Sequence, residues 1–191
     1  MIHQTLKKLP PVLALAMLAN CGHGNGAKNE TNRGNSTENG IAGQLNLTSD
    51  AFQEGQPIPT EYSCEGANRS PALKWDEPPA GTRSFALVID DPDAPSGIFR
   101  HWGTYDIPAS ARSIGSGQHV GTEVKNDGGK PGYAGPCPPK GSGVHHYHFR
   151  VLALDTGRLG LSPGANVADV EAEASKHVLA KGELTGTYER R

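Results

Sequence analysis

Gly132-Tyr-Ala-Gly-Pro-Cys-Pro-Pro-Lys-Gly-Ser-Gly-Val-His-His-Tyr-His-Phe149 is the stretch on which the reading of this chain turns. Three prolines and four glycines precede Val144, a composition that excludes a helix or an interior strand and dictates a shaped loop. From His145 to Asp155 the chain then alternates as a strand does. His145, Tyr147, Phe149 and Val151 fall on one face, and His146, His148 and Arg150 on the other. A histidine and a tyrosine therefore share the strand's apolar side, next to a loop expected to be rich in free backbone N–H groups. This pattern predicts one wall of an anion pocket.

Working outward, short β-like segments between Gly/Pro turns dominate the chain. Ala72-Leu-Lys-Trp75 lies between Pro71 and Pro78-Pro79, and Trp102 to Ile107 stops at Pro108. Ser84-Phe-Ala-Leu-Val-Ile89 is a near-continuous apolar run, the pattern of a central strand covered on both faces. One helix is expected, from about Asn166 to Ala180. Val167, Val170, Ala174 and Val178 recur at helical spacing, acidic residues come early, basic residues late, and Gly182 is a natural stop. The fold class is mainly β with a late helix.

The N-terminus reads as a targeting segment. Lys7 and Lys8 precede an apolar stretch from Val12 to Ala19, too short for the roughly 20 apolar residues that span a bilayer. It ends in Leu18-Ala19-Asn20-Cys21, which resembles the lipobox of bacterial lipoproteins, with Asn20 where Gly, Ala or Ser is usual. Residues 1–20 are thus expected to be a signal peptide, with Cys21 the lipidated residue anchoring the chain to a membrane of the cell envelope, facing the periplasm or exterior. Two or more acyl chains give stable anchoring where one does not. Residues 21–43, Gly, Asn, Thr, Ser and charge with almost nothing apolar, read as a disordered tether. Residues 44–191 have the length of one domain. Without Lys7 and Lys8 the chain has 16 Lys and Arg against 20 Asp and Glu. No basic cluster suggests a nucleic-acid surface. The two remaining cysteines, Cys64 and Cys137, are either a disulfide, as export permits, or two small buried thiols.

A second chemical cluster follows the buried strand. Asp90-Asp-Pro-Asp-Ala-Pro95 turns the chain, and His101-Trp102 begins the next strand. Asp91, Asp93 and His101 then leave adjacent strand ends. A carboxylate beside a histidine orients the ring and favours its protonated form. His101, His145 and amides of the Gly135-Pro136 loop would together suit a phosphate monoester.

Asp91-Pro-Asp-Ala-Pro95, His101-Trp102, Gly135-Pro-Cys-Pro-Pro-Lys-Gly141 and His145-His-Tyr147, in this order, resemble the phosphatidylethanolamine-binding proteins, in their bacterial, Raf-kinase-inhibitor-like branch. Cys64-Glu-Gly-Ala-Asn-Arg-Ser-Pro71 and Gly182-Glu-Leu-Thr-Gly-Thr-Tyr188 resemble the same branch. The resemblance implies two antiparallel sheets, one large and one small, and a helix near the C-terminus. It also implies a pocket for phosphate-type or phospholipid head groups, built here from Asp91, Pro95, His101, Gly135, Pro136, His145 and Tyr147, with no cofactor. Two positions depart from many relatives: His146 stands where they have Arg, and Phe99 where they have Trp.

The alternative function is a metal-dependent or acid/base hydrolase using His101, His145 and Asp91. His146-Tyr-His148 has the His-x-His form of metal-binding β-barrels, but strand parity turns those two histidines away from His145 and Tyr147. No Gly-x-Ser-x-Gly occurs, and Pro131 stands where a Walker A loop needs Ser or Thr. A protein-interaction role is allowed by the resemblance, with no residue that names a partner.

Overall fold

The computed structural model describes residues 43–191; the expected signal peptide, Cys21 and the expected tether up to residue 42 lie outside the described residues. A large sheet has the order β1 (Gly43–Gln44), β9 (Val178–Glu189), β8 (Val144–Leu154), β4 (Ser84–Asp91), β5 (Phe99–Pro108) and β7 (Thr122–Glu123). A small sheet has the order β2 (Leu47–Ser49), β3 (Leu73–Trp75) and β6 (Ser113–Ile114). The named strands pair antiparallel except β1, which runs parallel to β9. Gly43, assigned by composition to the tether, is already paired with Ala180.

Strand β4 is buried at all eight positions, because both of its faces are covered. Phe85, Leu87 and Ile89 enter the core shared with Trp75, Ile114 and the small sheet. Ala86 and Val88 enter a second core with Val167, Val170 and Ala174 of helix α1 (Val167–Ala174). The layers are small sheet, large sheet and helix. Alternation then separates two neighbouring carboxylates. Asp90 faces the helix side and pairs with Arg150, while Asp91 faces the small-sheet side with His145 and Tyr147.

The helix is shorter than its periodicity predicts. Asn166 caps it in a reciprocal box with Asp169: its side chain accepts from the Asp169 N–H at 3.2 Å, and the Asp169 carboxylate accepts from the Asn166 N–H at 2.8 Å. It ends at Ala174, and Val178-Leu179-Ala180 belong to β9. Tertiary pairing with β8 overrides the helical spacing, as it commonly overrides propensity. Gly182 does not stop an element; it pairs with Val151 inside β9. Glycine is needed along β9 for close packing. A Cβ at Gly186 would lie 2.5 Å from Ile58 Cγ1 and 2.7 Å from Phe52 Cε2, and one at Gly182 would lie 3.0 Å from the Leu45 carbonyl oxygen.

Candidate functional site

Strands β4, β5 and β8 end together at one edge of the large sheet, and the loop from Tyr133 to Lys140 folds over them. Asp91 ends β4, His145 and Tyr147 open β8, and Phe99 and His101 open β5. His101 reaches the same side through an irregularity. The β4–β5 register passes from Ile89–Trp102 to Asp90–Arg100, leaving His101 as the extra residue of a bulge. Bulges re-aim side chains, and here His101 and Trp102 are both turned to the small-sheet side.

The result is a cavity of about 230 Å³ lined by Asp91, Pro95, His101, Gly135, His145 and Tyr147, with Phe99, Ser96, Cys137 and Pro139 among its other walls. It is smaller than the roughly 300–1,000 Å³ of drug-sized pockets, so it suits a small ligand. Six of the seven residues expected at the pocket line it. Pro136 does not: it is buried in the loop, and its carbonyl accepts the Cys64 N–H at 3.1 Å. Asp93 is not in the cavity either. It is held on the far face by the His146 N–H at 2.9 Å and the His146 ring Nδ1 at 2.7 Å, and those hydrogen bonds keep its carboxyl below the usual range.

The hydrogen bonds redistribute the roles that the sequence suggested. Asp91 does not hold His101; its Oδ2 accepts from His145 Nδ1 at 2.8 Å and its Oδ1 from the Asp93 N–H at 2.8 Å. The other nitrogen of His145, Nε2, is 2.9 Å from the Ser142 hydroxyl. His101 instead bonds through Nδ1 to the Ala134 carbonyl at 2.7 Å. A carbonyl only accepts, so Nδ1 carries the proton and Nε2 presents a lone pair. Burial disfavours the imidazolium and pushes the His101 pKa below its ordinary value, outweighing the Ala134 carbonyl and the charge of Asp91. His101 is therefore neutral near neutral pH, contrary to the protonated form expected from a neighbouring carboxylate.

The loop is also poorer in free amides than its composition suggests. The Ala134 N–H donates to the His101 carbonyl at 2.9 Å, and the Gly135 N–H to Asn68 Oδ1 at 2.8 Å. Prolines 136, 138 and 139 have no N–H. In the run 134–139 that leaves the N–H of Cys137 without an acceptor among the described residues. Gly135 cannot be larger: a Cβ there would meet the Tyr62 carbonyl oxygen at 2.2 Å. Asn68, with φ 52°, has the left-handed backbone that asparagine tolerates. No local signal marks Asn68 as a partner of the pocket loop. A disulfide between Cys64 and Cys137 ties the same two loops, with Cα atoms 5.4 Å apart.

One polar group in the cavity has no partner. The Tyr147 hydroxyl is buried and makes no hydrogen bond of acceptable geometry among the described residues. Burial, the nearby charge of Asp91 and a loose approach of the hydroxyl to that carboxylate push its pKa up, so it stays an O–H donor through the physiological range. The His101 ring packs edge-on against Tyr147 and beside Phe99, with centroids 5.2 and 4.7 Å away, which leaves both rings little freedom. His146 and His148 are on the opposite face, the latter paired with Glu183 at 2.9 Å. Among the described residues no three His, Cys, Asp or Glu side chains converge as a metal-binding set, and no helix is long and apolar enough to cross a membrane.

Comparison with known proteins agrees with this architecture. A chain of Mycobacterium tuberculosis, LppC, named as a candidate lipoprotein, is 36% identical over 98% of each chain. A UPF0098 protein of Aquifex aeolicus is 43% identical over 152 residues, 76% of this chain and 89% of its own. Escherichia coli YbcL, described as a new member of the mammalian PEBP family, superposes with a TM-score of 0.73 at 34% identity, covering 78% of this chain and 99% of YbcL. A candidate homologue from Chlamydia trachomatis superposes with a TM-score of 0.72 at 33% identity, over 78% of this chain and all of its own. The model of the phosphatidylethanolamine-binding proteins matches residues 48–189. On that match and those relatives, the chain belongs to the phosphatidylethanolamine-binding protein family.

Proposed function

We propose that this chain is an envelope-tethered binding protein whose cavity takes the phosphate of a small ligand or of a phospholipid head group. The observation that carries the reading is the hydroxyl of Tyr147, a cavity-lining residue, which is buried and without a partner among the described residues. Such a group costs about 1–3 kcal/mol when left unsatisfied, and a ligand oxygen would satisfy it. The Cys137 N–H, without an acceptor among the described residues, is a second donor. His101 Nε2 is a third once it takes up a proton.

That proton gives the binding a sign. In the free protein burial disfavours the His101 imidazolium. A bound anion favours it and raises the pKa, so binding takes up a proton between the free and bound values. Affinity should therefore rise as pH falls through that interval. Membrane tethering through Cys21 is supported by the sequence pattern at residues 18–21 and by similarity to LppC along nearly the whole chain.

The test is calorimetric titration of the full-length chain with glycerophosphoethanolamine, whose diester phosphate keeps a single charge near neutral pH. Changing Tyr147→Phe removes one donor to a charged oxygen, worth about 1.5–3 kcal/mol, so affinity should fall roughly 10- to 150-fold. Unchanged affinity in a folded Tyr147→Phe variant would reject the pocket.

A further inference from the structure

Outside the cavity, His145 makes a second connection that ligand binding does not use. Ser142 Oγ, His145 Nε2, His145 Nδ1 and Asp91 Oδ2 form a continuous chain, with contacts of 2.9 Å and 2.8 Å. Asp91 and His145 are buried, and Ser142 is exposed. Asp91 fixes the imidazole so that Nδ1 carries the proton and Nε2 faces the hydroxyl. This is the order of roles in a hydrolytic triad, which is recognised by geometry and not by sequence position.

The backbone around the serine suits the same chemistry. Gly141 and Gly143 both have positive φ, at 76° and 88°, and no atom lies within 4 Å of the position a Cβ would take at either. Ser142 thus stands on a sharp, open turn directly before β8. The N–H of Gly143, the residue after the serine, has no acceptor among the described residues. That is the position from which a nucleophile turn supplies an oxyanion donor. Ser142 sits in Gly-Ser-Gly and not in Gly-x-Ser-x-Gly.

Ser142 also donates within 2.8 Å of the Pro139 carbonyl. A hydroxyl has one proton, so two arrangements alternate. With His145 protonated, Nε2–H donates to Oγ and the hydroxyl turns to Pro139. With His145 neutral, the hydroxyl donates to Nε2. Only the second arrangement has a general base.

We propose that Ser142 is a nucleophile activated by His145 and positioned by Asp91, acting on small unhindered esters that approach from solvent. Ser142 Oγ attacks the carbonyl carbon as its proton passes to His145 Nε2. The bond to the leaving alkoxide breaks, and that oxygen takes the proton from Nε2. Water then attacks the acyl carbon, giving its proton to Nε2, and the acyl–Oγ bond breaks as Ser142 regains a proton. The products are an acid and an alcohol, with water the one co-reactant. This activity shares Asp91 and His145 with the binding reading but needs no ligand bound in the cavity.

The test treats the full-length chain with a fluorophosphonate probe, which traps the first step by forming an Oγ–P bond as fluoride leaves with the proton. Tandem mass spectrometry should place one adduct on Ser142, absent in Ser142→Ala. The labelling rate should fall at least about 100-fold in His145→Gln and in the near-isosteric Asp91→Asn. Circular dichroism establishes that each variant is folded. A folded wild-type chain with no adduct on Ser142 overturns the proposal, as does a Ser142 adduct formed at the wild-type rate in Asp91→Asn. Loss of labelling with phosphate binding intact in Ser142→Ala separates this activity from the pocket.

Discussion

Replacing Asp91 with alanine is expected to destabilise the protein by about 3 kcal/mol, the upper end of the range for leaving a buried donor without its acceptor. The side chains of Asp91 and His145 are only 4% and 3% exposed. Alanine would leave His145 Nδ1 and the Asp93 N–H without their acceptors, and loss of a buried partner carries the full desolvation penalty of the group left behind. It would also free the His145 ring, so ligand affinity should fall with stability. Asparagine keeps the size and one acceptor oxygen, so Asp91→Asn should lose only about 1 kcal/mol. Denaturant titration of the two variants checks this. Equal stability of wild type and Asp91→Ala would mean that the pair does not organise the site.

Removing the disulfide is expected to have the largest effect on stability. Cys64 and Cys137 are 73 residues apart, and closing a loop of that length restricts the unfolded chain by about 4 kcal/mol on the chain-entropy model. The same loops are also tied by Cys64 N–H to the Pro136 carbonyl, Gly135 N–H to Asn68, and the Tyr133 hydroxyl to the Tyr62 carbonyl. The Cys64→Ser, Cys137→Ser double variant should therefore keep the fold at reduced stability. Its unfolding midpoint should not respond to reductant, whereas that of the wild type should fall to the variant's. A wild-type midpoint unchanged under conditions where alkylation finds both thiols free would contradict this. Because Cys137 lines the cavity, phosphate affinity should weaken in the double variant as well.

Much of the site was legible because strand parity is a short-range rule. The alternation from His145 to Val151 placed His145 and Tyr147 together and turned His146 and His148 away, and the structure has them so. Ser84 to Ile89 of β4 were legible as an apolar run with both faces covered, whereas Asp90 and Asp91, which read as the start of a turn, are buried strand residues. What failed depended on partners distant in sequence. Val178 continued a helical spacing, but its place in β9 is decided by pairing with Leu154 of β8. Gly182 read as a stop because a single chain cannot reveal that Leu45 packs against it. The loop's amides looked free because Asn68, 67 residues away, captures one of them. Which histidine holds Asp91 was equally hidden. A one-residue bulge turns His101 into the cavity and toward Ala134, leaving the carboxylate to His145.

The family name concerns a class of ligand, and the geometry adds how this chain would grip one. The residues of the cavity wall include a carboxylate already engaged, a neutral histidine, and a tyrosine whose hydroxyl has no partner among the described residues. Such a site is not a preformed positive cradle. On the proposed reading it would become favourable to an anion by taking up a proton at His101, which would distinguish it from a loop of convergent amides, whose affinity would not depend on pH.

The most direct test is therefore the affinity of the full-length chain for glycerophosphoethanolamine, measured by calorimetry at successive pH values from about 8 to about 5, across the histidine range. The account predicts binding that tightens as pH falls, by up to about tenfold per pH unit between the free and bound pKa of His101, with the proton uptake visible as a buffer-dependent heat. Absence of binding across the range, or an affinity that stays flat or strengthens as pH rises, would contradict it.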